Sequence, residues 1–435
     1  MTSFLKKGIL VSSGQILGIV LGMLASILYS RQLGPDGMGQ VELFRSASLI
    51  GVTLAVLGLG NASIYFLNNR KVPLVEVAGN ALKMGMAMGF LLAICLGTIF
   101  FVNRDYFGLI ATPAVAFFAL GAGAQVGTNM LRPLLVAQLA AAKMALVDVV
   151  VPATLLVGGL ALLAAGWLSP AMMLAIQGVS AFCALGVVLG YLRGSLNLRH
   201  RFNWKLLLDL IVYGLKLAAA NILLNLGSNI TVILLRHIQP YQFTDVGLYT
   251  RAVSIAGLIT LVPAALGPLL YAKWSGTTGI TRTRQAEMAA RMSLTYGIVA
   301  AVVVTVFGKE VIWLLYGQQF LRAQEALNIL APAVALLSLF NVCNNLLAGD
   351  GRALVTACIL AGTVAIITAV TYLAAPVWGI RGAALGALCG NAFTAVVSMT
   401  VCRRFFQLNP LRCLFVRTSD FAYIWLALGL SPKKA

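Results

Sequence analysis

Several polar side chains stand in apolar surroundings where a polar group needs a partner or water. Arg45-Ser-Ala-Ser48-Leu-Ile-Gly51 lies near the start of one long apolar run, and Arg251-Ala-Val-Ser254-Ile-Ala-Gly257 opens another. In each, an arginine leads a serine by three positions and a glycine by six. Arg31 and Arg236 stand upstream of these copies, each ending the preceding apolar run. Between them lie the polar turns Gln32-Leu-Gly-Pro-Asp-Gly-Met-Gly39 and His237-Ile-Gln-Pro-Tyr-Gln-Phe-Thr-Asp-Val-Gly247. The repeat predicts two related halves. A charge at membrane depth costs several kcal/mol unless it faces a wet cavity or a partner, so Arg45, Arg251 and Lys216 are candidates for a functional role. The plainer readings are snorkelling and, for Arg45, an i,i+3 pair with Glu42. Asn221, Asn225 and Asn229 fall at i, i+4 and i+8, one helix face with Arg236 close to it. Gln125 with Asn129, and Asn341 with Asn344 and Asn345, form similar groups. Interhelical hydrogen bonding and a hydrophilic cavity are both open for them.

Catalytic chemistry finds little support. The 12 acidic residues occur as singles, without a paired carboxylate or a Ser/His/Asp order. Seven scattered cysteines without CxxC spacing and two histidines, His200 and His237, argue against a metal or redox site. Asp148 is the one acid that could be well immersed; a coupling proton or Na⁺, a salt bridge and an interfacial position are the readings open to it.

The elements that must position these residues are transmembrane helices. Hydrophobic residues make up 60% of the chain and charged residues 10%, against about 45–50% and about 25% in soluble proteins. Apolar runs of about 20 residues recur along nearly the whole length, without the alternation of outer-membrane strands. Helices are placed near 8–30, 41–67, 78–102, 108–131, 143–167 and 170–192, then 209–235, 246–272, 288–307, 325–348, 353–375 and 381–402. The expectation is an all-α polytopic membrane protein of about 12 helices, in two pseudo-symmetric sets of six. The first run follows Lys6 and Lys7, is too long for a signal peptide, and has no small-residue cleavage site after it. With the N-terminus inside, roughly 22 of the 31 basic residues fall on the cytoplasmic side, so both termini are placed there. The net charge of +19 then reflects loops against anionic headgroups and an anionic substrate rather than nucleic acid, for which no soluble domain exists.

Residues 1–193 form the expected first six-helix lobe and 209–402 the second. The connector 194–208 is basic with aromatic and apolar residues interleaved, and reads either as an interfacial helix or as a plain positive loop. Residues 403–435 form a basic cytoplasmic tail whose apolar run Phe421–Leu430 is too short to span. Pro152, Pro263, Pro268 and Pro332 fall inside spans and mark places for bends.

Four stretches resemble the MOP exporter superfamily, and within it the Wzx-type polysaccharide flippases. They are Ser30–Gly39, Val246-Gly-Leu-Tyr-Thr-Arg-Ala252, Gly308-Lys-Glu-Val-Ile-Trp-Leu-Leu-Tyr-Gly317 with Phe320 and Ala323, and Pro376-Val-Trp-Gly-Ile-Arg-Gly-Ala-Ala-Leu-Gly386. The resemblance implies two six-helix lobes around a central cavity in a bacterial-type cytoplasmic membrane. It also implies a non-enzymatic carrier that moves an undecaprenyl-diphosphate-linked oligosaccharide outward by rocking, without a cofactor. A coupling ion (H⁺ or Na⁺) is implied for some relatives, and glycosyltransferases and a glycan polymerase of the same pathway are implied partners. Arg45 and Arg251 match the placement of the arginines that line such cavities. Arginine suits a diphosphate because it forms bidentate forked bonds, and asparagines supply partners for sugar hydroxyls. On this reading Arg45, Arg251, Arg31, Arg236, Lys216, Asn225 and Asn229 contact substrate. A drug or cation antiporter of the same superfamily is the alternative, disfavoured by the basic excess. A glycan polymerase or ligase is a third, disfavoured by short outer loops.

Overall fold

The computed structural model describes residues 2–195, 203–238, 242–263, 267, 274 and 279–414; the side chains of 2–12, 216–217, 279–281 and 414 lie outside the described set. Every regular element among the described residues is helical. The first half of the chain forms α1 (Thr2–Val56), α2 (Leu59–Asn68), α3 (Leu74–Val102), the short α4 (Arg104–Phe107), α5 (Thr112–Ala137), α6 (Ala141–Ala164) and α7 (Pro170–Leu192). The second half forms α8 (Trp204–Ile238), α9 (Phe243–Gly257), α10 (Gly279–Val306), α11 (Gly308–Tyr316), α12 (Gln324–Gly349), α13 (Ala353–Trp378), α14 (Ile380–Phe406) and α15 (Pro410–Leu414).

Eleven stretches among the described residues are long and apolar enough to cross a membrane. The first, Ser13–Asn68, has 56 residues, about 84 Å of helix against a hydrocarbon core of about 30 Å, so it crosses twice. That makes twelve crossings. Gly34 supplies the break: its φ of 67° and ψ of −179° lie in a region essentially restricted to glycine. Pro35 follows, where its missing N–H costs nothing in a first helical turn. The polar turn read at Gln32–Gly39 is therefore a one-residue kink, and the second crossing begins at Pro35 rather than near residue 41. Arg45 lies ten residues into it, about 15 Å along the axis.

This crossing is broken again at Leu57 and Gly58, both with positive φ (50° and 70°). A Cβ on Gly58 would overlap the Gly214 carbonyl of α8. The interruption thus sits at a glycine contact, while Pro152 and Pro332 remain inside continuous helices, α6 and α12. Pro268 lies outside the described residues. Trp204–Leu208 of the predicted connector begin α8; 196–202, and the tail from 415 with its apolar run 421–430, lie outside the described residues.

By backbone contacts the chain divides into two units, residues 1–250 with 313–320, and residues 251–312 with 321–435. In the first unit α5 packs against α3 and α7, α1 against α6, and α1 and α2 against α8. A buried aromatic cluster fixes this core: the Phe44 ring lies 4.6 Å from Phe100 and 5.1 Å from Phe107. In the second unit α14 packs against α12 and α13, and α10 against α12. There α15 folds onto α10, where Arg291 donates to the Arg412 carbonyl (2.7 Å) and Glu287 accepts from the Asn409 N–H (2.9 Å).

Candidate functional site

Arg45 is set by its neighbours on α1. Phe44 points into the aromatic cluster at 1% exposure, so the next side chain, about 100° around the helix, points away from it. From Gly37 to Thr53 every residue is buried or half-buried except Arg45, whose side chain is 54% exposed. A lipid-facing helix would instead show a stripe of exposed apolar residues, as the first crossing does with Ile16, Leu17, Ile19, Val20 and Leu24. Asn129 has the same standing on α5, as the single exposed residue from Gly121 to Val136 is this asparagine, with Gln125 half-buried one turn before it. Over these two stretches, two helices of one unit thus open only at polar side chains. Arg45 Nη1 lies 3.4 Å from both carboxylate oxygens of Glu42, a long contact for an ion pair, and Glu42 itself is buried at 7%.

Arg251 differs. It is buried at 2%, on a helix whose exposed positions are Val253 and Ser254. The contact between α1 and α9 explains why. A Cβ on Gly39 would overlap the Phe243 carbonyl, and a Cβ on Gly247 would overlap the Pro35 carbonyl. The contact is reciprocal: 39 meets 243 and 247 meets 35, so that 35 corresponds to 243 and 39 to 247. Arg45 follows its glycine by six residues and Arg251 by four, a difference of about 200° around a helix. Counted from the crossing, Arg45 corresponds to the exposed Val253, and Arg251 to the buried Leu43. The spacing repeat and the packing repeat therefore run in different registers.

Arg31 and Arg236 direct their donors at backbone. Arg31 donates from Nε to the Leu315 carbonyl (3.0 Å) and from Nη2 to the Leu314 carbonyl (2.5 Å), capping the C-terminal end of α11. The Gln319 amide donates in return to the Arg31 carbonyl (3.2 Å). Arg236, 3% exposed, donates to the carbonyls of Tyr106 (2.8 Å) and Asp105 (3.1 Å), with its guanidinium 3.7 Å from the Phe243 ring centroid. The Tyr106 hydroxyl donates to Ile233 (2.6 Å), and burial pushes it up to about 12 while Arg236 pulls the other way. Lys216 lies in α8 with its side chain outside the described residues.

The asparagine stripe bonds within its own helix. Asn225 Nδ2 donates to the Asn221 carbonyl (3.0 Å) and Asn229 Nδ2 to the Asn225 carbonyl (2.9 Å), which leaves the side-chain carbonyls of Asn225 and Asn229 as acceptors. In α12, Asn345 repeats the pattern on Asn341 (2.7 Å). Asp148 pairs with Arg132, at 2.6 and 2.7 Å from Nη2, so the salt-bridge reading is the one observed. Sequence reasoning misses Arg132, because a pair 16 residues apart on two helices leaves no periodic signal. Among the described residues no group of three or more His, Cys, Asp or Glu side chains is arranged to hold a metal.

A family model described as "Polysaccharide biosynthesis protein" matches residues 4–267. No curated protein sequence matches the chain. Among solved structures, the chain is similar to a multidrug resistance MATE family transporter of the MOP superfamily in its inward-facing conformation, with a TM-score of 0.75 and 16% identity over 92% of this chain and 98% of that one. An outward-facing conformation of a multidrug resistance MATE family transporter gives a TM-score of 0.65 at 15% identity, covering 92% and 96%. A MOP superfamily transporter from Pyrococcus furiosus, described as having a binding pocket of reversed polarity that suggests a different function, gives 0.68 at 16%, with the same coverage. At these identities the structures establish the fold. The family match covers more than half of the sequence, and with it the chain belongs to the polysaccharide biosynthesis protein family.

Proposed function

We propose that this transporter is a flippase for an undecaprenyl-diphosphate-linked oligosaccharide, carrying it from the cytoplasmic to the outer leaflet of a bacterial cytoplasmic membrane by alternating access between two six-helix lobes, 1–193 and 209–402. Both termini are cytoplasmic in this reading, following the lysine and arginine bias. The observation that carries it is Arg45: a cation about 15 Å along a membrane-crossing helix, exposed where its helix is otherwise covered. A diphosphate offers the anionic oxygens that a guanidinium fork binds best. The loose 3.4 Å contact with Glu42 steadies the side chain while leaving it able to turn to a phosphate.

The other residues take different parts. Arg251 and Lys216 supply further positive charge along the path, and Asn225 and Asn229 offer side-chain acceptors to glycan hydroxyls. Arg31 and Arg236 act as positioning residues, tying the outer helix ends through backbone carbonyls. That one protein of this fold is described with a pocket of reversed polarity is in keeping with a cavity whose charge varies among relatives. The test is glycan export in cells lacking the native gene, with membrane abundance measured in parallel. Arg45→Gln should reduce export about 10-fold or more at normal abundance, since a charge-assisted contact contributes about 1.5–3 kcal/mol, and Arg45→Lys should restore part of it. Full export by Arg45→Gln would remove this residue from the substrate path.

A further inference from the structure

We infer that the first unit carries a binding site for an anionic phospholipid, in a groove between the start of α6 and the end of α7. This goes beyond the transport reading and does not depend on it. The groove is open, about 630 Å³, and lined by Lys143, Leu146, Val187, Gly190, Tyr191 and Arg193. Lys143 is the third residue of α6, and Tyr191 and Arg193 stand at the last turn and C-cap of α7. Consecutive crossings joined by the α6–α7 hairpin run in opposite directions, so these two ends lie on the same side of the bilayer, the cytoplasmic one in the orientation proposed above. The two cations therefore stand at headgroup height, and Leu146 and Val187, about one turn deeper, stand beside acyl chains.

Charge complementarity identifies the occupant. Lys143 rests over the Tyr191 ring, 5.3 Å from its centroid, and neither Lys143 nor Arg193 has an acidic partner among the described residues. An ammonium and a guanidinium flanking an apolar channel suit a phosphodiester with a chain beneath it. The groove also runs along a face of α7 on which a Cβ at Gly186, Gly190 or Gly194 would meet nothing within 4 Å. By contrast, Gly178 on the same helix lies against α5, where a Cβ on Gly121 would come within 2.5 Å of its Cα. The protein leaves this face of α7 unfilled. The lining contains no carboxamide and no hydroxyl other than that of Tyr191, so its two cations suit a phosphodiester better than the many hydroxyls of a glycan.

The test uses the purified full chain in nanodiscs of equal parts dioleoyl phosphatidylglycerol and dioleoyl phosphatidylcholine, with the lipid retained on gentle release read by native mass spectrometry. Phosphatidylglycerol should be retained in preference to phosphatidylcholine. A headgroup cation contributes about 1 kcal/mol, so Lys143→Gln with Arg193→Gln should weaken the preference about 30-fold, and either alone about 5-fold. Gly190→Leu should remove it by filling the groove; because its Cβ meets nothing, the fold and thermal midpoint should be kept, which covers the case in which the charge variant fails to fold. Arg403→Gln with Arg404→Gln, an exposed pair at the end of α14, should leave the preference unchanged. Excess inorganic phosphate should fail to displace the lipid, since it lacks the chain that fills the apolar part; displacement would mean a bare anion site. Equal retention of the two lipids by the parent protein, or equal losses in the two double variants, would overturn the inference.

Discussion

Gly39→Ala is the sharpest perturbation of the fold available at this crossing. The new Cβ would overlap the Phe243 carbonyl and come to 3.0 Å from the Gly247 nitrogen, both backbone atoms that no rotamer change can move. The helices must separate, and a radial gap of about 0.5–1 Å already forfeits a quarter to a half of each dispersion contact across the interface. Overpacking of this kind costs about 1–3 kcal/mol, and rigid backbone on both sides argues for the upper end, about 3 kcal/mol. Gly247→Ala meets the Pro35 carbonyl at the reciprocal position and should cost about the same. Because one separation accommodates both methyl groups, the double variant should cost far less than the sum, with a coupling of about 2 kcal/mol. The assay is thermal unfolding of the four purified proteins in one detergent, compared as a double-mutant cycle. Additive losses, or a neutral Gly39→Ala, would refute the reciprocal crossing.

Three further outcomes follow from the contacts described. Arg236→Met removes two charge-assisted bonds and a ring contact and strands the Tyr106 and Asp105 carbonyls, so it should cost about 3–5 kcal/mol, read as a lowered thermal midpoint; Arg236→Lys should recover a minor part, because lysine cannot reach both carbonyls in one plane. Asp148→Asn leaves Arg132 half-buried without its carboxylate and should cost about 3 kcal/mol, while the double variant with Arg132→Gln should be milder than Asp148→Asn alone. Asp350, outside the crossings, is held below the usual carboxylate range by the Arg352 hydrogen bond first and by Arg282 as well, against the opposing effect of burial. Its folded pKa is depressed, so its contribution is present above the ordinary value of about 3.9 and is lost as pH falls through the folded value; the stability advantage over Asp350→Asn should hold at neutral pH and shrink only in strong acid.

The helical class and the twelve crossings were legible because hydrophobic length is a property of the sequence alone. The breaks were harder. Gly34 and Gly58 look like ordinary glycines until their φ values are known, while the prolines at 152 and 332, the louder signals, stay inside continuous helices. Arg45 stood out in the sequence as a charge in an apolar run, but its exposure depends on Phe44 filling the neighbouring core. The arginine repeat misled about register: R-x-x-S-x-x-G repeats with a spacing of 206 residues, whereas the glycines that make the helix contact repeat with 208. Two residues turn a helix by about 200°, enough to put one arginine outside and the other inside. Arg31 and Arg236 were legible as cations near loops; their backbone partners, far away in sequence, were not.

The most direct test of the transport reading is flipping of a defined lipid by the purified chain. Proteoliposomes carrying a short undecaprenyl-diphosphate-linked oligosaccharide in both leaflets would be treated with a membrane-impermeant glycosidase, and the protected fraction followed with time. The account predicts that the protected pool becomes accessible faster with the parent protein than in protein-free vesicles. Arg45→Gln should slow this about 10-fold or more, as one lost charge-assisted phosphate contact requires. A protected pool that stays as inaccessible as in empty vesicles, while the same vesicles extrude a lipophilic cationic dye, would contradict the account and favour a cation exporter.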